Sequence, residues 1–141
     1  MAVVKWTALG TEQSIGAAAL NSLANGSTSA KLAYDNSGTT ARDLHARVTV
    51  ELGLITPSGN AYITIRWYNT RAGVGDEDIT AGLDTYQMPL ASGAGTKRTI
   101  FPMVRIYNGA GGFVLVNNSG VALAATGNSF IVQTFNEDII P

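Results

Sequence analysis

The chain has 141 residues, of which ten are acidic, nine are basic, one is histidine and none is cysteine, and its formal net charge is −1. The lack of cysteine excludes disulfides, thiol nucleophiles and cysteine-ligated metals, and the balanced charge excludes a basic stripe for phosphate backbones. The apolar runs fall far short of the ~20 residues that a membrane helix needs. We therefore expect one soluble domain over residues 1–141, with neither a nucleic-acid nor a membrane partner.

Charge is scarce as well as balanced. Only 13% of the residues are charged, about half of the roughly 25% that is usual in a globular chain. Few charges and a net charge near zero weaken the repulsion that keeps monomers apart. This favours self-association, although a polar surface rich in Ser, Thr, Asn and Gly explains the same composition equally well.

Alternation of apolar and polar residues runs through most of the chain, interrupted by 16 glycines and four prolines. A period of two is typical of antiparallel strands with one buried face. After the first strand, residues 11–25 predict one short helix near 14–25, which Ser14 can cap and Gly26 can end. The predicted strands are, in chain order, 3–8, 30–35, 44–52, 61–68, 85–90, 96–107, 113–117 and 129–136.

Eight short strands with glycine-rich connections and one small helix predict an all-β fold. The architecture that we expect is an antiparallel two-sheet sandwich of jelly-roll type. Its core is expected to contain Val48, Val50, Ile63, Ile65, Trp67, Val104, Ile106, Phe113, Leu115, Phe130 and Val132.

The strands at 44–52 and 61–68 show the clearest alternation. Even-numbered residues from Leu44 onward face the core in the first, and odd-numbered residues face it in the second. The turn sequence TPSGN between them favours a hairpin. We expect the register that places Glu51 opposite Arg66, because it pairs opposite charges.

Two features of the second half of the chain predict irregular backbone. Pro102 has no amide donor, so its strand must lie at a sheet edge or bend there. The run Gly-Ala-Gly-Gly at 109–112 predicts a wide hairpin turn before the next strand.

His45 is the one histidine and is predicted on the outward face of its strand, near Asp43 and Arg47. A Ser-His-Asp triad would need His45 as the base, but the sequence has no Gly-x-Ser-x-Gly motif. We therefore interpret His45 as an exposed histidine on a strand. The acidic run at 76–78, followed by Asp84, could offer oxygen ligands to calcium. It lacks EF-hand spacing and is typical of a solvated loop. We expect no enzyme activity, no cofactor and no metal site.

One strand face carries the most suggestive surface residues of the chain. Tyr62, Arg66 and Tyr68 should project outward from the strand at 61–68. Aromatic rings and arginine are enriched at interaction hot spots and can stack on sugars. The face is therefore a candidate binding surface for a glycan or a protein, with ordinary cross-strand packing as the alternative.

Three segments resemble a group of small virion proteins of tailed bacteriophages. They are WTALGTEQ at 6–13, LNSLAN at 20–25 and NNSGVALAATGN at 117–128. The resemblance implies a non-enzymatic, β-rich component of the particle, either a capsid decoration or cement protein or a tail or fibre protein. It implies location in the virion and contact with the major capsid protein or other virion proteins, and it carries over no catalytic residue.

The two ends of the chain carry apolar side chains that a lone monomer would expose, namely Val3, Val4, Trp6, Ile139 and Ile140. Frayed or exposed apolar segments of this kind are usually covered by a partner. We expect a homo-oligomer, and the resemblance favours a trimer at a local threefold position of a capsid shell. The alternative function is a carbohydrate- or receptor-binding module that uses Tyr62, Arg66 and Tyr68.

Overall fold

The computed structural model describes residues 3–38, 43–71, 75–76 and 84–140. Within these ranges the backbone forms eleven β-strands and one turn of 3₁₀ helix at Ala17–Leu20. The strands are β1 Val3–Trp6, β2 Gln13–Ser14, β3 Leu32–Asn36, β4 His45–Ile55, β5 Tyr62–Arg71, β6 Gly75–Asp76, β7 Thr85–Pro89, β8 Gly95–Arg105, β9 Gly109–Asn118, β10 Ser129–Phe135 and β11 Glu137–Ile140.

Two antiparallel four-stranded sheets make up the body of the protein. The first has the strand order β2-β10-β4-β8, and the second has the order β3-β9-β5-β7. From β2 to β10, successive strands alternate between the two sheets, except that the short β6 pairs with the end of β5 and β7 then also pairs with β5 in the second sheet. This switching pattern is that of an eight-stranded jelly roll, so the predicted fold class is confirmed.

The core lies between the two sheets. Every predicted core residue is buried, and none is more than 3% exposed. Trp67, Phe113 and Phe130 form an aromatic chain across it, with ring centroids 5.1 and 5.3 Å apart in succession. The alternation of β4 is also confirmed from Ala46 onward, but Leu44, which was expected inside, is 53% exposed.

The predicted hairpin between β4 and β5 is wrong. The two strands belong to different sheets: β4 lies between β10 and β8, and β5 lies between β9 and β7. Glu51 is therefore opposite Arg98 of β8, with 2.6 Å between their charged atoms, and not opposite Arg66. The six residues between the strands are enough to cross the ~10 Å between packed sheets. The inward face of each strand is buried whether the two strands form a hairpin or lie in opposite sheets, so alternation could not distinguish these arrangements.

Pro102 lies in the edge strand of the first sheet, where its missing amide costs no ladder hydrogen bond. The strand also bulges there, since Ala46 pairs with Val104 while Val48 pairs with Phe101. Both expectations for this proline are confirmed.

The helix predicted near 14–25 is reduced to the single 3₁₀ turn. Ser14 caps nothing, because it lies in β2 and pairs with Ile131 of β10. Gly16 then takes a left-handed conformation with φ 54°, which ends the extended segment and is not helical. The backbone groups that would start a helix are thus used by the sheet.

The glycine run at 109–112 is not a turn but the first half of β9. A Cβ on Gly111 would lie 2.4 Å from the carbonyl oxygen of Tyr68, and one on Gly112 would lie 2.2 Å from that of Leu32. Glycine is required here because β9 passes very close to its neighbours.

Candidate functional site

Strands β1 and β11 form a separate two-stranded sheet, here called the β1–β11 ribbon. The pairing is antiparallel and sets Val3 opposite Ile140, Val4 opposite Ile139, Lys5 opposite Asp138 and Trp6 opposite Glu137. All eight residues are exposed. The ribbon therefore lies outside the two sheets that bury the core.

The free end of the ribbon is apolar on both faces. Directly opposed residues of an antiparallel pair share a face, so Val4 and Ile139 lie together on one side, and Val3 and Ile140 on the other. Their exposed fractions range from 40% to 68%. The structure thus leaves these four apolar residues exposed and brings them together in one place.

The base of the ribbon is fixed to the sandwich. The Trp6 ring packs edge-on against His45 and Phe135, with centroid distances of 5.6 Å to each. The amide of Thr7 donates to the carbonyl oxygen of Asn136 at 2.8 Å, which continues the ladder. The Asn136 side chain also accepts from the Leu44 amide at 2.7 Å and so closes the end of β4. Beyond this point β11 has β1 alone as its neighbour within the described chain.

His45 is not the freely exposed histidine that the sequence predicted. Its side chain is only 17% exposed, and Nε2 lies 3.4 Å from Oε1 of Glu137. Its Nδ1 atom is buried without a hydrogen-bond partner in the described part of the chain. The imidazole is thus a packing element between the sandwich and the ribbon, and the absence of His45-dependent catalysis stays a prediction.

Replacing His45 by Ala should lower the free energy of unfolding by about 1–2 kcal/mol, because contacts with Trp6 and Phe135 are lost. Urea denaturation followed by tryptophan fluorescence measures the change. Arg47→Ala, two residues along the same face, is the matched control and should cost less. An equal loss in both variants would contradict a specific packing role for the imidazole.

The second predicted site, on β5, is only partly at the surface. Tyr62 is 37% exposed and Arg66 is half-buried, but Tyr68 is completely buried. Lys31 lies over the Tyr68 ring, with Nζ 4.8 Å from the centroid. Tyr68 lies on the outer face of β5 but is covered there, because alternation along one strand does not reveal what packs on its outer side.

Tyr62 borders a shallow depression of about 400 Å³ at the end of β5 and β7. Its rim offers two amide side chains, Asn60 and Gln87, beside the apolar surface of Met88 and Pro89. An accessible ring with neighbouring amides is a combination that can bind a sugar. Tyr62 and this depression therefore form the accessible part of the predicted β5 binding face.

The acidic run at 76–78 falls mostly outside the described residues. Asp84, which follows it, accepts a hydrogen bond from the Tyr107 hydroxyl. This bond to a carboxylate raises the pKa of Tyr107 above its ordinary value. Across the described ranges, no group of three or more His, Asp or Glu side chains could hold a metal ion.

Asn117 is a central polar residue of the structure, a role that the sequence did not predict. It is completely buried. Its Nδ2 atom donates to the carbonyl oxygens of Leu23 and Val121, both at 2.8 Å, and its Oδ1 atom accepts from the Ser119 amide at 3.0 Å. A buried amide with all these partners fixes the backbone segments that it joins.

Asn128 plays a similar part eleven residues later. Its Nδ2 atom donates to Asn21 Oδ1 at 2.9 Å and to the Ala124 carbonyl oxygen at 2.7 Å, while its Oδ1 atom accepts from the Gly53 amide at 3.0 Å. Segments 20–25 and 117–128, which carry part of the resemblance, are therefore neighbours in the fold. Their asparagines serve as scaffolding in this structure.

Comparison with protein-family models, with curated proteins and with solved structures gives no match for this chain. Among the described residues, no helix has the length and apolar character needed to cross a bilayer.

Proposed function

We propose that the chain is a non-enzymatic structural protein of a bacteriophage particle, which binds the capsid shell as a homo-oligomer in the manner of a decoration or cement protein. The observation that carries the proposal is the β1–β11 ribbon with its four exposed apolar residues. An isolated two-stranded ribbon is at best marginally stable in water. A ribbon with apolar residues on both faces gains stability when a partner covers it.

Two further observations support this role. The jelly roll is an architecture that viral capsid domains use, although the same fold also occurs in lectins, so this support is by analogy. The three segments named above resemble small phage virion proteins, and the low charge content favours self-association. The major capsid protein is the proposed partner.

Quantitative mass spectrometry of purified particles of the phage that encodes the chain tests this role. A decoration protein should be present in numbers comparable to those of the capsid subunits. A handful of copies per particle would instead indicate a tail or fibre component, and absence from the particle would refute a virion role.

The ribbon is tested by the change of Val4, which is 61% exposed, to Asp. We expect association with other copies or with the shell to weaken by at least about tenfold, since a charge would enter the apolar contact. Leu54→Asp is the matched control, because Leu54 is 71% exposed on β4 and lies outside the ribbon. Loss of association in the Leu54 variant but not in the Val4 variant would place the contact elsewhere.

The second candidate function is binding of a glycan or a receptor, and the depression beside Tyr62 is the observation that favours it. Tyr62→Ala should then abolish binding on a glycan array without changing thermal stability. Wild-type protein that binds no glycan on the array would remove this candidate.

A further inference from the structure

Within the described residues, no strand pairs with the outer edges of the β1–β11 ribbon. Each of the two strands has the other as its one strand partner within the described residues. Edge strands present unpaired N–H and C=O groups, and natural proteins usually cover or charge such edges. The ribbon therefore offers two open ladders in addition to its apolar faces.

The direction of the backbone groups can be assigned from the base of the ribbon. Thr7 N–H donates to the carbonyl oxygen of Asn136, so these two residues point their backbone groups at each other. Successive residues of an antiparallel ladder alternate in this respect. Val4 and Ile139 therefore direct their N–H and C=O groups away from each other, towards the two outer edges.

Charge distinguishes the ways in which two ribbons can meet. The β1 edge carries the cation of Lys5, whereas the β11 edge carries the carboxylates of Glu137 and Asp138. Pairing β11 with β11 would bring four carboxylates together, and pairing β1 with β1 would bring two lysines together. Pairing β11 of one copy with β1 of the next brings opposite charges together.

We propose that copies of this chain assemble head to tail through the ribbon, with β11 of one subunit paired antiparallel to β1 of the next. The residue pairs between β11 of one subunit and β1 of the next are then the same as those between β1 and β11 within one chain. Ile139 hydrogen-bonds Val4 of the next copy, and Asp138 lies beside its Lys5. This register satisfies the outward-pointing backbone groups, because both members of the Ile139–Val4 pair direct them to the shared edge.

Such head-to-tail contacts close into a ring when the rotation between copies permits. A closed ring of ribbons is a small barrel with one face turned inward. The Val4–Ile139 face turns inward, since its one charged residue, Glu137, lies against His45 at the base of the ribbon, whereas the opposite face carries both Lys5 and Asp138, which need water. The inference rests on the proposed self-association and names the surface that produces it.

Sedimentation of charge variants tests the pairing between subunits. Lys5→Glu and Asp138→Lys each place like charges both within the ribbon and at the contact between copies. We expect each variant alone to associate at least about tenfold more weakly than the wild type. An equimolar mixture should regain association, because the Lys5→Glu copy and the Asp138→Lys copy complement each other wherever they are neighbours, which holds for two of the three contacts in a three-membered ring.

The mixture separates this proposal from a change inside one chain, since mixing cannot repair a like-charge pair within a subunit. Ile139→Pro gives a second test, because it removes an outward N–H and should prevent association without lowering thermal stability. A monomeric wild type, variants that still associate, or a mixture that stays monomeric would each overturn the pairing. Capsid binding by a monomeric wild type would overturn the ribbon pairing while keeping the shell-binding role.

Discussion

Replacing Trp67 by Ala should lower the free energy of unfolding by about 3–5 kcal/mol, the usual cost of deleting a buried aromatic side chain. Trp67 is 3% exposed and packs edge-on against Phe113, with 5.1 Å between ring centroids. Its Nε1–H also donates to Asn69 Oδ1 at 2.9 Å, so the change removes a hydrogen bond as well. Urea denaturation followed by circular dichroism provides the measurement.

The control for this variant is Tyr62→Ala on the same strand, at a position that is 37% exposed. It should cost far less, because water already reaches the ring and little cavity forms. A Trp67 variant that loses less than about 1 kcal/mol would contradict a tightly packed core between the two sheets.

Replacing Asn117 by Ala should lower the free energy of unfolding by about 3–4 kcal/mol. The change removes the hydrogen bonds from Asn117 to the carbonyl oxygens of Leu23 and Val121, and it leaves the buried amide of Ser119 without its acceptor. The two carbonyl oxygens each keep one other donor, the Leu123 amide and the Ser119 hydroxyl. Each buried polar group that loses its partner costs about 1–3 kcal/mol, partly offset where water can enter. Chemical denaturation measures the loss.

Asn118→Ala is the matched control for the buried asparagine. Asn118 is half-buried, and its side chain makes one long contact, 3.4 Å from Asn118 Nδ2 to Thr64 Oγ1. We expect this variant to cost less than about 1 kcal/mol. If the two variants lost the same stability, the hydrogen bonds of Asn117 would not be what fastens segment 117–128 to the sandwich.

The fold class and the core could be predicted because both depend on alternation, which is a local property of the sequence. Burial of Val48, Val50, Ile63 and Ile65 follows from alternation alone. The pairing of strands could not be predicted in the same way. An inward-facing residue is equally buried whether its strand pairs with the next one or crosses to the opposite sheet.

The remaining errors have a common physical origin, which is that tertiary contacts override local preference. The Ser14 side chain could cap a helix, but the backbone at Ser14 pairs with β10 instead. Gly111 and Gly112 have the chemistry of a turn, yet they allow close approach to Tyr68 and Leu32. Tyr68 itself lies on the predicted outer face and is covered there by Lys31.

For the candidate sites too, some properties could be predicted from the sequence and others required the fold. Exposure of Val3, Val4, Trp6, Ile139 and Ile140 followed from composition and position in the sequence. That these residues pair with each other in one ribbon required the fold, because their strands lie at opposite ends of the sequence.

Co-sedimentation of the isolated protein with undecorated capsid shells tests the central claim most directly. We predict saturable binding of wild-type oligomers at micromolar concentration, normal binding of Leu54→Asp, and loss of binding for Val4→Asp. A wild-type chain that sediments as a 14.7 kDa monomer and leaves the shells undecorated would contradict both the oligomer and the decoration role.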